Sequence, residues 1–395
     1  MDLQYKEIQA FIKEHLDIDT TQLLLKKPIF ATISNSVLAQ QIEGYKVAQR
    51  KFPSLLAEGI QFPKKLNLEQ TSSEATATYK AKLLQGKNFL DLTAGFGIDA
   101  YFLSQSFEEI TLVEQDAELL QLVTQNWKVL GRKATFVNSD AESFLQATTA
   151  HYDVIYIDPA RRDHQLQKKF LLEDLSPNIL ELQELLLKKS AKVITKLSPL
   201  IDIHYLLHTL NNIRRIEIIA LRNEVKEVLV IQETASSLEE VEIRCVNLQS
   251  KDPILSFNAK ELQGTQATYS ASERYLYIPN NALLKSGAFN YIATYYGLKK
   301  LEVNTHLYTS DELIDNFAGR ILEVAQIHPK QIKKKKHYNI ITKNYPLSVA
   351  EIKKKYHLEE GGTEYLIFTR SVSGMELDAF RKGTKIIYSK YGNNQ

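Results

Sequence analysis

Between Phe89 and Gln232, short apolar runs alternate with longer stretches of helical periodicity, and no other feature constrains the fold so tightly. The runs are FLDL (Phe89–Leu92), ITLVE (Ile110–Glu114), ATFVN (Ala134–Asn138), DVIYID (Asp153–Asp158) and KVITK (Lys192–Lys196). All are too short for helices and carry the β-branched and aromatic residues that suit strands. Each is followed by enough chain for a helical crossover, so together they predict five parallel strands of one doubly wound α/β sheet. IRRIEIIAL (Ile213–Leu221) and KEVLVIQ (Lys226–Gln232) lie too close together for a crossover and predict a closing antiparallel hairpin.

The flanks read differently. Residues 1–70 predict a helical segment, with Ile8, Phe11, Ile12 and Leu16 at helical spacing and Ser36 placed to cap a second helix through Tyr45 and Arg50. A third helix is expected from Ser72 or Ser73 through Glu74 to Leu84, ended by Gly86. Beyond the sheet, VEIRCVNL predicts a strand, and the chain from Tyr275 predicts strand, helix and strand, then a helix through Ile321 and Ala325. From Pro329 the order is strand (YNIIT), helix (SVAEIKKKYHL), a GG turn and strand (EYLIFTR). With 395 residues, more than one core is expected. The divisions fall at an N-terminal helical segment (1–70), the α/β domain (71–250), a small α+β domain (251–328) and a last small domain (329–395).

Composition excludes several classes. Cys245 is the one cysteine, which rules out an internal disulfide and a thiolate-rich zinc site. The nine histidines include no H-E-x-x-H pair, so no metal is expected. No apolar run approaches the roughly 18 residues of a membrane span. The opening MDLQYKEIQAFIKEHL has no signal-peptide apolar core, and a cytoplasmic protein is expected. The net charge of +2 is unevenly spread: residues 329–395 hold 14 Lys and Arg against 6 Asp and Glu, a surplus of 8, leaving −6 for the rest. That asymmetry points to an anionic partner for the basic end.

The chemistry gathers where strands end. DLTAGFGIDA (Asp91–Ala100) spans the turn from the first strand into the next helix, with Gly95 and Gly97 permitting close backbone approach to a ligand. The glycine spacing would also suit a dinucleotide. Asp91 argues against it, because a carboxylate there repels a pyrophosphate and attracts an ammonium. Glu114 closes the second strand, where a carboxylate can accept both hydroxyls of a ribose, and Asp140 follows the third, within reach of an adenine amino group.

From about Ser72 to Gln232 the chain resembles class I methyltransferases that use S-adenosylmethionine, a Rossmann-like fold, with DLTAGFGID as the cofactor loop and Thr93 in place of the family's first glycine. The whole chain resembles a bacterial group that joins this domain to a ferredoxin-like domain and a THUMP-like domain. NIITKNYPLSVAEIKKKYHLEEGGTEYLIFT carries the THUMP-like likeness. THUMP domains are RNA-binding modules of tRNA-modifying enzymes, so the resemblance implies tRNA or rRNA as substrate.

After the fourth strand, DPARRD (Asp158–Asp163) resembles the (D/N)PPx signature of base-amino methyltransferases. Pro159 is retained, Ala160 replaces the second proline and Arg161 the usual aromatic, which stacks on a flipped base. Arg161 can stack through its guanidinium plane or hold a phosphate instead. DPAR also resembles the 5-methyluridine enzymes, but their cysteine nucleophile is missing from ITKLSP, so covalent C5 chemistry is not expected. A competing resemblance is to 2′-O-ribose methyltransferases, whose Lys-Asp-Lys-Glu tetrad would fall on Lys80, Asp158, Lys196 and Glu224. Direct transfer to a base nitrogen, with Asp158 contacting the acceptor and Lys196 assisting, is the first expectation. Ribose methylation, a protein or small-molecule acceptor, and a non-catalytic RNA-binding role remain the alternatives.

Overall fold

The computed structural model describes residues 6–161, 171–234, 240–327, 330, 332, 334–335, 337–372 and 384–389. The chain divides into two compact units, Met1–Ile216 with Glu227–Leu238, and Glu217–Lys226 with Glu239–Gln395.

In the first unit, helices Lys6–Glu14, Thr20–Leu25 and Asn35–Lys51 close over Ile8, Ile12, Leu23, Leu38 and Ile42. Ser34 caps the third of these, not Ser36, its hydroxyl accepting the Val37 N–H at 3.3 Å. Helix Glu74–Ala81 starts at a Ser73 cap. The strands follow as β1 (Asn88–Asp91), β2 (Glu109–Glu114), β3 (Thr135–Asn138), β4 (Tyr152–Ile157), a small pair β5 (Ala160–Arg161) and β6 (Leu175–Ser176), then β7 (Ser190–Leu197), β8 (Ile213–Leu221) and β9 (Glu224–Glu233). Within a sheet of nine described strands, seven of these lie in the order β3-β2-β1-β4-β7-β9-β8, the stretch Glu217–Lys226 at the β8–β9 turn being counted with the second unit. Its first five strands are parallel, and β9 runs antiparallel to β7, as the strand spacing predicts. The chain winds outward from β1 to β3 and then returns to β4 on the other side of β1. A crevice therefore opens at the carboxyl ends of β1 and β4, where such sheets bind ligands.

In the second unit, β10 (Glu242–Leu248) and β11 (Leu255–Asn258) form an antiparallel pair. A seven-stranded sheet is built from β12 (Tyr275–Pro279), β13 (Lys299–Glu302), β14 (Thr305–Ser310), β15 (Gly319–Ile327), β16 (His337–Lys343), β17 (Glu359–Arg370) and β18 (Thr384–Ser389). Their order is β13-β14-β12-β15-β18-β17-β16. Leu276, Leu301, Leu307, Leu322 and Ile367 form one of its apolar clusters. The helix expected through Ile321 and Ala325 is the strand β15, paired with β12 and β18. Residues four apart share a face of either element, and here the inward positions are Leu322 and Val324, a period of two. The expected basic helix is present as Val349–Tyr356, opened by a Ser348–Glu351 capping box.

Among the described residues, no helix is long and apolar enough to cross a membrane, and no group of three or more His, Cys, Asp or Glu is placed to hold a metal ion.

Candidate active site

The loop after β1 is tied to the ends of three strands, by side chains of β1 and β2 and by a backbone N–H just past β4. Asp91, at the end of β1, is 1% exposed, and its Oδ1 accepts the Thr93 N–H at 2.9 Å. The Thr93 hydroxyl accepts the Asp158 N–H at 2.7 Å and so joins the loop to the end of β4. Glu114, at the end of β2, accepts the Gly95 N–H and the Asp116 N–H, each at 2.9 Å and on different oxygens. Gly97 has φ 74°, and a Cβ there would lie 2.8 Å from Val123 Cγ1 and 3.0 Å from Trp127 Nε1. Gly95 also has a positive φ, 52°, but its Cβ would meet only the Thr93 carbonyl, at 3.8 Å. Packing therefore demands glycine at 97, whereas at 95 the backbone turn does.

These residues line a cavity of about 440 Å³, within the usual range for small-molecule sites. Its described lining includes eight carboxylate residues (Asp91, Asp99, Glu114, Asp116, Asp140, Glu142, Asp158 and Glu181) against a single lysine, Lys196. A pyrophosphate would be repelled there. A sulfonium carrying an α-ammonium is suited to it, so the donor set fits S-adenosylmethionine. Burial, with Asp99, Asp158 and Glu114 nearby, pushes the Asp91 carboxyl well above its ordinary range. A bound cation would draw it back to the carboxylate. Asp140 is exposed and caps helix Ala141–Ala147, accepting the Ser143 N–H at 2.9 Å; that bond holds its carboxyl below the ordinary value.

Just past β4, the Asp158 side chain is 32% exposed and pairs with the Lys196 ammonium. Burial still lifts its carboxyl above the usual value, although Lys196 opposes that rise. Pro159 is buried behind it. Ala160 lines the cavity, and Arg161 beside it is exposed in β5, which pairs with β6. Arg162 and Asp163 lie outside the described residues.

Behind Asp158 lies a buried charge network. Lys80, 1% exposed, meets Asp99 Oδ1 at 2.7 Å and Glu227 Oε1 at 3.1 Å. Lys196 meets Asp99 Oδ2 at 3.3 Å as well as Asp158. Asp99 also accepts the Ser72 hydroxyl at 2.8 Å and the Tyr156 hydroxyl at 2.9 Å. Lys80, Asp158 and Lys196 are thus brought together, but Glu224 is not their carboxylate partner. It sits exposed at the start of β9 and pairs with Lys226 at 2.6 Å; Glu227 stands in the network instead. The two positions are an odd number apart, so a strand turns them to opposite faces.

Sequence reasoning missed Asp99, Glu227, Ser72 and Tyr156. Asp99 lies inside the loop motif, and Tyr156 and Glu227 lie within apolar runs, so a charge or hydroxyl set in an apolar strand is the signal the sequence offers.

Comparisons with known proteins find relatives for three stretches of the chain. Residues 71–215 match the family described as Conserved hypothetical protein 95, residues 275–317 a ferredoxin-like domain family, and residues 319–382 a THUMP domain-like family. The crystal structure of a candidate methyltransferase from Porphyromonas gingivalis W83 superposes with a TM-score of 0.85 at 27% identity, covering 98% of both chains. Ribosomal RNA small subunit methyltransferase J of Psychrobacter cryohalolentis is 32% identical over 96 residues. That match takes in 20% of this chain and 32% of the relative, so the chain spans about a third of the relative's length.

The sheet order, the loop after β1 and the acid-lined crevice define a class I methyltransferase dependent on S-adenosylmethionine. Along the chain, the match to the catalytic-domain family is followed by the ferredoxin-like match and then the THUMP domain-like match.

Proposed function

We propose that this protein methylates RNA, tRNA or rRNA, at a base nitrogen, acting in the cytoplasm. S-adenosylmethionine supplies the electrophilic methyl group. Asp91 holds the cofactor's ammonium, Glu114 its ribose hydroxyls and Asp140 its adenine amino group, with Thr93, Gly95 and Gly97 shaping the loop. Asp158 and Pro159 face the acceptor, and Arg161 steadies the incoming nucleotide by stacking or by a phosphate contact.

One observation carries the choice of a base nitrogen: at the end of β4 a carboxylate, Asp158, reaches the cavity, while Lys196 beside it is engaged by two acids. A carboxylate can accept the N–H of a base amine and so align its lone pair. Alignment accounts for much of such a transfer, because the methyl group arrives already activated. An RNA acceptor is supported by the basic surplus of residues 329–395, by exposed Lys354 and Lys355 on the THUMP-like helix, and by the relative named for ribosomal RNA.

The gathering of Lys80, Lys196 and Asp158 with a glutamate favours a second reading, ribose 2′-O methylation. That reaction needs a base for the hydroxyl proton. Burial alone would lower the Lys196 ammonium, but Asp158, Asp99 and Glu227 outweigh it and hold its pKa above the ordinary lysine value. A lysine so held is a poor base. Mass spectrometry of nucleosides from cells with and without the gene decides between the readings. Loss of one methylated base supports the proposal, loss of a 2′-O-methyl nucleoside replaces it with the second reading, and an unchanged RNA profile refutes an RNA substrate.

A further inference from the structure

Three buried charged residues have no part in holding the cofactor or touching the acceptor as just described: Lys80, Asp99 and Glu227. With Lys196 and Asp158 they form an unbroken series of ion pairs, from Glu227 on β9 through Lys80 on helix Glu74–Ala81 and Asp99 on helix Ile98–Leu103 to Lys196 on β7 and Asp158 after β4. Asp99 is the hub, with one ammonium on each oxygen and the Ser72 and Tyr156 hydroxyls donating as well. Buried ion pairs of this kind are poor sources of stability, because desolvating the charges offsets most of their attraction. Their position beside the cavity calls for another reason.

We propose that Lys196 is a positioning residue, anchored from behind by Asp99 and the Lys80–Glu227 pair, whose ammonium keeps Asp158 ionised and aimed at the acceptor without taking the acceptor's proton. This rests on the reading of Asp158 as the acceptor contact. The groups facing Asp158 show why a cation is needed. Asp99 presents negative charge, Asp91 at the end of β1 is a second buried acid that repels Asp158 when ionised, Tyr156 presents a neutral hydroxyl, and Thr93 bonds the Asp158 backbone. Lys196 alone pairs directly with the Asp158 carboxylate among the described ion pairs, and Lys80 acts from further back. Remove Lys196, and burial and the neighbouring acids both favour the protonated carboxyl, which cannot accept an amine N–H through that oxygen. Asp99 in turn stops Lys196 from swinging away, and Lys80 fixes Asp99.

The test is the pH dependence of kcat/KM for methyl incorporation into total RNA from cells lacking the gene, with the full chain. Lys196→Met should move the acid limb upward by about 1–3 pH units, the scale set by losing an adjacent opposite charge. S-adenosylmethionine affinity should stay within about threefold. Lys196→Arg, which restores a cation but cannot serve as a base, should bring the limb most of the way back. Should Lys196→Met not fold, Lys196→Gln carries the same prediction. An acid limb unmoved in the neutral variant, or Lys196→Arg as inactive as the neutral variant, overturns the positioning role. Asp158→Asn separates the two levels of the argument. Full activity there would overturn the reading of Asp158 and this role with it, whereas an inactive Asp158→Asn beside an unmoved limb in Lys196→Met overturns the role alone.

Discussion

Asp91→Asn should weaken S-adenosylmethionine binding while making the cofactor-free protein more stable. The substitution preserves shape, so the Thr93 N–H keeps its acceptor. What is lost is the charge. Removing a charge-assisted hydrogen bond costs about 1.5–3 kcal/mol, which is roughly a 10- to 150-fold rise in Kd. Stability moves the other way. Burial raises the folded-state pKa of Asp91 well above its unfolded value of about 3.9. Its contribution to stability is therefore full below the unfolded pKa and lost as pH rises through the folded one. At neutral pH an amide escapes that penalty, so the apo variant should melt higher. Binding a cation favours the carboxylate, so wild-type affinity should climb with pH up to the raised pKa and then level, while the Asn variant stays flat. Calorimetry between about pH 5.5 and 7.5, below the range where the ligand's own α-ammonium titrates, measures the slope, and thermal shift without ligand measures stability. A folded Asn variant that binds within about threefold of wild type, or a wild-type affinity that falls with rising pH, would refute the reasoning.

Two other predictions follow from the structure. Lys80→Met leaves Asp99 and Glu227 without their shared cation and should destabilise the protein by about 3–5 kcal/mol in chemical denaturation; adding Glu227→Gln should recover part of the loss, and a neutral Lys80→Met would show that the network carries no stored electrostatic demand. Lys354 and Lys355 are exposed on helix Val349–Tyr356, so reversing both to Glu should weaken RNA binding and lower the log–log salt slope by roughly 1–2 without changing S-adenosylmethionine affinity; an unchanged slope would remove this helix from the RNA-binding surface.

The parts of the structure written in local pattern were legible in advance. Five parallel strands and a hairpin follow from short apolar runs at crossover or turn spacing, and the tight turn after β1 follows from its glycines. The THUMP-like segment showed its strand-helix-strand order because a capping box and a basic amphipathic helix are contiguous in sequence. Where one spacing suited two elements, as at Ile321 and Ala325, pairing with strands on both sides chose the outcome. The charge network lay beyond local pattern altogether. Lys80 and Glu227 are 147 positions apart, and Lys196 and Asp99 are 97 apart. A lysine reads alike in sequence whether it faces water or two carboxylates, and Glu224 looks as suitable as Glu227 until the start of β9 fixes which face each takes. Periodicity along the chain determines which residues form elements; only the closing of the sheet determines which buried charges meet, because their pairing energy exists only once water has been excluded between them.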